Sequence, residues 1–216
     1  ELRNPISKMN PTFDVEIRDT EHLFYRLDLF QEALQLHADQ RQSVWKPNVR
    51  AMTKQWLDMG LRPRAVTRDL TWGINVPIDG DDWIGKCIYV WFEAVQGYLT
   101  CSQIWSEKYG EDSSAWEAWW TNKEQSNPRH YYFLGKDNVP FHTVIWPAIL
   151  MGLNHVRNGK TANAPIELPT IGDLHLEDNV PAMEYLMLAG GQFSKSRNHA
   201  LWLPSSSQRS HPETLK

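Results

Sequence analysis

"KCIYVWF" occupies residues 86–92 and runs straight into "EAVQGYLTCSQIW" at 93–105. The change of pattern between the two decides the fold. The first stretch is a short, unbroken apolar run, the kind expected of a strand buried on both faces. From Trp91 the apolar residues recur at helical spacing through Ala94, Val95, Tyr98, Cys101 and Trp105. A strand feeding directly into a helix is an α/β signature. "HYYFLGKDNVPFHTVIWPAIL" (130–150) repeats the logic. It reads as a strand through Leu134, a Gly-Lys-Asp turn, Pro140 near the first helical position, and a helix carrying Phe141, Ile145 and Ile149.

Working outward, "EHLFYRL" (21–27) reads as a strand, and Asp28 with Gln31 as a capping box opening a helix with Phe30, Ala33 and Leu34 on one face. Asn48 is a second cap candidate, ahead of Val49, Met52 and Trp56 at helical spacing, with Gly60 as the terminating glycine. The two predict a helical layer over 28–60. Ser114 with Glu117 makes a further capping box before "WEAWW", and "RAVTRDLTWGINVP" (64–77) is strand and loop ahead of an Asp-Gly-Asp-Asp turn. Residues 153–181, rich in Asn, Gly, Pro and Asp, are expected as a loop or surface insertion. "EYLML" (184–188) is a last strand, feeding "AGGQFSKSRN" (189–198).

With 216 residues, 41% hydrophobic and 22% charged, the chain is globular in composition and long enough for a sizeable core. The eleven Trp read mainly as core and pocket walls. A net charge of −4 supplies no global attraction to a polyanion, so any nucleic-acid contact must be local. Cys87 and Cys101 have no Cys-x-x-Cys spacing, so neither a disulfide framework nor a zinc knuckle is indicated. The longest apolar stretch, "VIWPAILMGL" (144–153), is too short to span a bilayer and contains Pro147. With no signal-like N-terminus, a cytoplasmic location and no membrane partner are expected. The first residues, "ELRNPISK", lack an initiator Met and the last, "HPETLK", stop in a helix-like pattern, which reads as a piece of something longer.

In open α/β sheets ligands lie beyond the carboxyl ends of strands, where turns expose N–H groups and helix N-termini. Three segments meet that description: "WFEAVQGY" (91–98), "GKDNVPFH" (135–142) and "AGGQFSKSR" (189–197). Taken singly each is equally at home as structure, with Trp91 in a core, His142 a satisfied histidine, Gly135 a turn, and Lys195 and Arg197 solvated loop charges. The P-loop and dinucleotide fingerprints do not occur, and Ser/His/Asp chemistry has no nucleophile elbow behind it.

Taken together and in order, the segments resemble the class I aminoacyl-tRNA synthetases, and among them the methionyl family. "FSKSR" looks like the end of the Lys-Met-Ser-Lys-Ser signature, and "GKDNVPFH", "YVWFEAVQGY" and "RAVTRDLTWGINVP" resemble that family's own blocks. The resemblance implies an α/β fold: the second half of a Rossmann-like nucleotide-binding catalytic domain with a parallel sheet, plus the end of the connective insertion. It implies boundaries of 1–86 for the insertion and return to the core, 87–199 for the half-domain (with 153–181 inserted), and 200–216 for the start of the stem. The activity implied is activation of L-methionine with ATP and Mg²⁺ to the adenylate, then transfer to tRNA(Met). The oligomeric state is not implied.

By the same resemblance Lys195, Ser194 and Ser196 are catalytic, with the loop gripping the triphosphate. Gly135, Asp137, Phe193, Lys195 and Arg197 bind ATP, with Gly135 and Asp137 under the ribose and Arg68 a candidate partner for such a carboxylate. Trp91, Ala94, Tyr98 and His142 form the methionine pocket, where aromatic walls suit a polarizable thioether. The chain departs from the family at four places. Gln192 stands where Lys is usual, Glu93-Ala94-Val95 where Asp-Ala-Pro is common, and Asn198 where Gly is usual. Ser7 stands near a common zinc cysteine, so no zinc is expected on this segment. The His-Ile-Gly-His signature does not occur in it, so the resemblance implies half an ATP site. Alternatives are a synthetase-like paralogue that binds methionine or an adenylate without charging tRNA, and another class I synthetase.

Overall fold

Pro47 at the start of a helix and Gly60 just past its end bracket the element in which the sequence reads most directly. Proline lacks an N–H that the first turn could not use anyway, and Gly60 adopts a φ of 73° that a side chain would resist. The computed structural model describes residues 5–7, 10, 12–125, 127–194 and 198–200. In chain order its regular elements are β1 (Phe24–Tyr25), α1 (Gln31–Gln40), α2 (Pro47–Asp58), β2 (Arg64–Ala65), β3 (Thr67–Asp69), β4 (Lys86–Ile88), α3 (Val90–Glu93) and α4 (Gly97–Tyr109). There follow α5 (Glu117–Trp120), β5 (Leu134–Gly135), α6 (Trp146–Arg157), β6 (Ala182–Met183), β7 (Met187–Leu188) and β8 (Gly191–Gln192). The chain divides into two compact units, Glu1–Tyr25 with Pro63–Ala94, and Arg26–Arg62 with Val95–Lys216.

In the first unit β1 pairs antiparallel with β2, and β3 antiparallel with β4 through Thr67↔Ile88, Arg68↔Cys87 and Asp69↔Lys86. The apolar run from Lys86 is therefore not a strand buried on both faces. Only Cys87 of β4 is buried, and the strand ends at Ile88, where the Tyr89 N–H turns to the Val66 carbonyl at 2.8 Å. The helix then starts at Val90. Gly73 (φ 144°) lies against Cys87, where a Cβ would come within 3.1 Å of the cysteine's own.

The second unit opens with a 3-10 turn over Leu27–Phe30 and the α1–α2 pair, so the helical layer is present, and Phe30, Ala33 and Leu34 are buried as expected. Its caps differ from the pattern. Asp28 is taken by Arg26 at 2.6 Å, and Gln31 reaches across to the end of α2, donating to the Leu57 carbonyl and accepting from the Leu61 N–H. Lys46 rather than Asn48 is the N-cap of α2, and Ser114 donates to Asp112 instead of capping α5. On α4 the buried residues are Leu99 and Ser106, following Val95, while Tyr98, Cys101 and Trp105 are exposed. The expected stripe is one position out because Ala94–Gln96 forms a 3-10 turn, whose three-residue period shifts the phase before α4 begins.

The parallel element is the β5–β6 pair, with register Leu134↔Ala182 and Gly135↔Met183 and a parallel bridge Tyr131↔Asn179 upstream. α6 lies between the two strands in sequence, giving a βαβ crossover. Beneath it Trp45, Val49, Val139, Val180 and Ala182 form a buried cluster with Ala38, Met52 and Leu134 against it. Each fully buried valine contributes about 1.5–3 kcal/mol.

The stretch 153–181 is not a surface insertion throughout. α6 continues to Arg157, and Asp173, Leu174, His175, Leu176, Glu177, Asp178 and Val180 are all buried. Burial of so polar a run is tolerated because most of its polar side-chain atoms are paired inside, Glu177 Oε2 and Asn179 Oδ1 being without a hydrogen-bond partner. Glu177 meets His37 at 2.8 Å, His175 bridges Asn122 and Asp178, and Asn154 exchanges two hydrogen bonds with the Leu174 backbone. Burial raises the Asp178 pKa, but the His130 N–H, His175 and Arg129 together outweigh it, so the carboxyl titrates below its ordinary value.

Candidate active site

Within the second unit the structure brings Tyr98 and His142 together, the Tyr98 hydroxyl lying 3.1 Å from His142 Nε2. His142 sits in a π-helical turn (Phe141–Ile145) that leads into α6, a wide turn that recurs at functional sites. Its Nδ1 lies 3.0 Å from the Asn138 carbonyl, which can only accept, so Nδ1 carries the proton in the neutral ring. Nε2 is then the acceptor and the Tyr98 O–H the donor. Burial pushes the His142 pKa down, against the smaller opposing effects of the Asn138 carbonyl and Glu177, which favours the neutral ring.

Tyr132 completes this cluster and was not singled out in the sequence. Its ring lies 5.1 Å from Tyr98 and 5.3 Å from His142, and its hydroxyl accepts from Trp146 Nε1 at 2.9 Å. Burial raises the Tyr132 phenol pKa, so it stays protonated. The available signal was alternation: His130, Tyr132 and Leu134 face one way in the extended run. The result is a wall of aromatic faces around one hydroxyl and one imidazole nitrogen, suited to a polarizable apolar group.

A second group gathers where the parallel strands end. Gly135 closes β5 and is exposed, and Lys136 and Asp137 follow it in a 3-10 turn. Glu184 and Tyr185 follow β6. Lys136 bonds Glu184 at 2.7 Å, Glu184 accepts from Asn48 at 3.0 Å, and the Lys136 ammonium stands 4.6 Å from the centre of the Tyr185 ring.

The third group is a hairpin. β7 and β8 pair antiparallel (Met187↔Gln192, Leu188↔Gly191) across a two-residue turn in which Ala189 has φ 47° and Gly190 φ 82°. Positive φ at both central residues marks the hairpin turn whose twist matches its strands. Only the end of "EYLML" is thus strand. Beyond the half-buried Phe193, Ser194 and His199 exchange backbone hydrogen bonds of 2.9 and 3.0 Å, closing the loop at its base. His199 Nε2 lies 2.8 Å from the Leu188 carbonyl, and the ring fills the space a Gly191 Cβ would need, 2.9 Å from where that atom would stand. Asn198, in place of the family's glycine, holds a φ of 51°, which asparagine tolerates better than most residues. Lys195, Ser196 and Arg197 lie outside the described residues.

Trp91 and Ala94 belong to the first unit and are both exposed, Trp91 on α3. Arg68, expected to face a carboxylate, stacks 4.1 Å over the Tyr89 ring and donates to the Ala65 and Thr67 carbonyls.

A parallel βαβ unit with polar side chains at its carboxyl ends defines the α/β class of fold, and comparison with known proteins narrows it. Residues 1–216 match the family described as tRNA synthetases class I (M), and the chain belongs to that family. It is 43% identical over 216 residues to the methionine--tRNA ligase of Chlorobium limicola, covering all of this chain and 28% of that protein. With the methionine--tRNA ligase of Roseiflexus sp. it shares 43% over 205 residues, 94% of this chain and 31% of that one. A solved structure of Mycobacterium tuberculosis methionyl-tRNA synthetase in complex with methionyl-adenylate matches 87% of this chain and 30% of its own, with a TM-score of 0.60 at 23% identity. That likeness shows the α/β fold. The chain spans less than a third of the length of these relatives.

Proposed function

We propose that a full-length protein carrying this chain activates L-methionine with ATP and passes the methionyl group to tRNA(Met) in the cytoplasm. The observation that carries this reading is the family match over all of residues 1–216. In the first step a methionine carboxylate oxygen bonds to the α-phosphorus, the bond to the bridging oxygen breaks, and pyrophosphate leaves with that electron pair. When bound with the nucleotide, magnesium would supply neutralisation of phosphate charge. Among the described residues no group of three or more His, Cys, Asp or Glu could hold a metal. Nor is any helix among them long and apolar enough to cross a membrane.

The residues divide the work. Trp91, Ala94, Tyr98 and His142 receive the methionine side chain. One proton, that of the Tyr98 hydroxyl, lies between it and the neutral imidazole, and the polarizable sulfur would pack against the surrounding aromatic faces. Gly135 and Asp137 take the ribose, and Phe193 borders the nucleotide. Lys195, with Ser194, Ser196 and Arg197, neutralises the departing pyrophosphate, a task of charge and position more than covalent chemistry. A second reading, a paralogue that binds methionine or an adenylate without charging tRNA, draws on Gln192, exposed on β8 where the family usually has a cation.

Methionine-dependent ATP–pyrophosphate exchange in the full-length protein separates the two. The expected result is exchange that Lys195→Ala lowers by roughly 100-fold or more while methionine binding is kept. Methionine binding without exchange in the wild type would establish the paralogue instead.

A further inference from the structure

Four side chains of the second unit order one another from the core outward. Trp146, at the head of α6, is fully buried, and its indole N–H donates to the Tyr132 hydroxyl at 2.9 Å. Tyr132 is half-buried in the extended run ahead of β5. Its ring lies 5.1 Å from that of Tyr98 at an interplanar angle of 54°, and 5.3 Å from that of His142 at 48°. Tyr98, on α4, is 46% exposed, yet its hydroxyl lies 3.1 Å from His142 Nε2. A tyrosine that open to solvent changes rotamer readily, and one hydrogen bond at its tip leaves the tilt of the ring free. The missing constraint comes from the side. Of the three rings beside Tyr98, Tyr132 is nearest, with His142 at 5.8 Å and Trp146 at 6.3 Å.

Resting on the reading of Tyr98 and His142 as walls of the methionine pocket, we infer that Tyr132 is a positioning residue for methionine recognition. Anchored to the core through Trp146, its ring holds the Tyr98 ring at the tilt that meets His142 and presents it to the thioether at a fixed angle. The gain from sulfur beside a ring depends on where the ring stands. A methylene is held by burial alone, which has no direction, so it loses less when the ring is free to move. Tyr132 acts through Tyr98 and takes no part at the α-phosphorus. Its contribution appears as methionine affinity and as preference for sulfur over methylene.

The test is pyrophosphate exchange in the full-length protein with methionine and with norleucine, the analogue in which a methylene replaces the sulfur. The variants are Tyr132→Phe, Tyr132→Met, Tyr132→Leu and Tyr98→Leu. All three changes at Tyr132 leave the Trp146 N–H without its acceptor and share that loss of stability. Only Tyr132→Met and Tyr132→Leu also remove the ring, the first filling more of its volume and the second standing in where the first does not fold. We expect these two to raise KM for methionine roughly fivefold, and Tyr132→Phe to raise it about twofold at most. KM for norleucine should rise by less, and KM for ATP should not change. Tyr98→Leu should raise KM for methionine by a larger factor. An unchanged methionine KM in the ring-free variants at Tyr132, beside a raised one in Tyr98→Leu, overturns the role of Tyr132 and leaves the pocket reading standing. An unchanged methionine KM in Tyr98→Leu as well removes the pocket reading and the inference with it. A rise that is equal in Tyr132→Phe and the ring-free variants, or is shared equally by norleucine or by ATP, makes Tyr132 a structural residue and also overturns the inference.

Discussion

His142 and His199 are each tied by one ring nitrogen to a backbone carbonyl, Asn138 in the first case and Leu188 in the second, yet their settings are opposite. His142 is buried among Tyr98 and Tyr132 in a π-helical turn ahead of a helix that is itself largely buried. His199 lies beside the β7–β8 hairpin, against a glycine that makes room for its ring. One histidine is held by apolar packing, the other by backbone geometry. Stability should therefore reside near the first and conformational control of the loop near the second.

The contrast can be broken most sharply from the buried side. Val180→Ala removes two methyl groups from a fully buried position and should cost about 2 kcal/mol, read as a lower denaturation midpoint, with pyrophosphate exchange in the full-length protein preserved below the transition. A comparable loss of exchange in the folded variant would mean that packing and catalysis are not separable here. Gly191→Ala tests the other side. The new Cβ would crowd His199 Nε2 and displace the ring from the Leu188 carbonyl, so exchange should fall roughly tenfold with little change in midpoint. A normal exchange rate would show that the loop does not depend on this contact.

The smallest effect sharpens the comparison through pH. Burial lowers the pKa of His142, and that of His130, below the ordinary 6.5. The unfolded chain therefore takes up these protons first as pH falls. Their contribution is constant above about pH 7 and is lost progressively as pH drops through 6.5 toward the lowered folded values. Unfolding free energies at pH 7.5 and 5.5 should differ in that direction, and His142→Gln should reduce the difference. An unchanged slope in that variant would place the titration elsewhere.

Much of the architecture was legible because it rests on local rules. Gly60 marked the end of α2, although its start was assigned to Asn48 rather than to Lys46 and Pro47, the buried faces of Phe30, Ala33 and Leu34 followed the helical period, and "HYYFLGKDNVPFH" foretold β5, its turn and the helix beyond. The failures share a cause: partners distant in sequence. Gln31 looked like half of a local cap but serves the far end of α2. The 173–180 run looked like surface because His37, Asn122 and Asn154, which make its burial tolerable, lie far from it in sequence. In the site, Tyr98 and His142 could be named from the family's blocks, but Tyr132 and Tyr185 needed the fold. Nothing in a string of letters shows that the Lys136 ammonium stands 4.6 Å from the centre of the Tyr185 ring.

The proton on the His142 ring is placed by the Asn138 main chain, and a carbonyl is the one group every codon supplies. Point substitution at 138 can alter the side chain there without deleting the oxygen that fixes the tautomer. Random mutagenesis scored on activity would then pass over position 138 as unimportant, although the peptide bond at that position sets which nitrogen the imidazole offers to Tyr98.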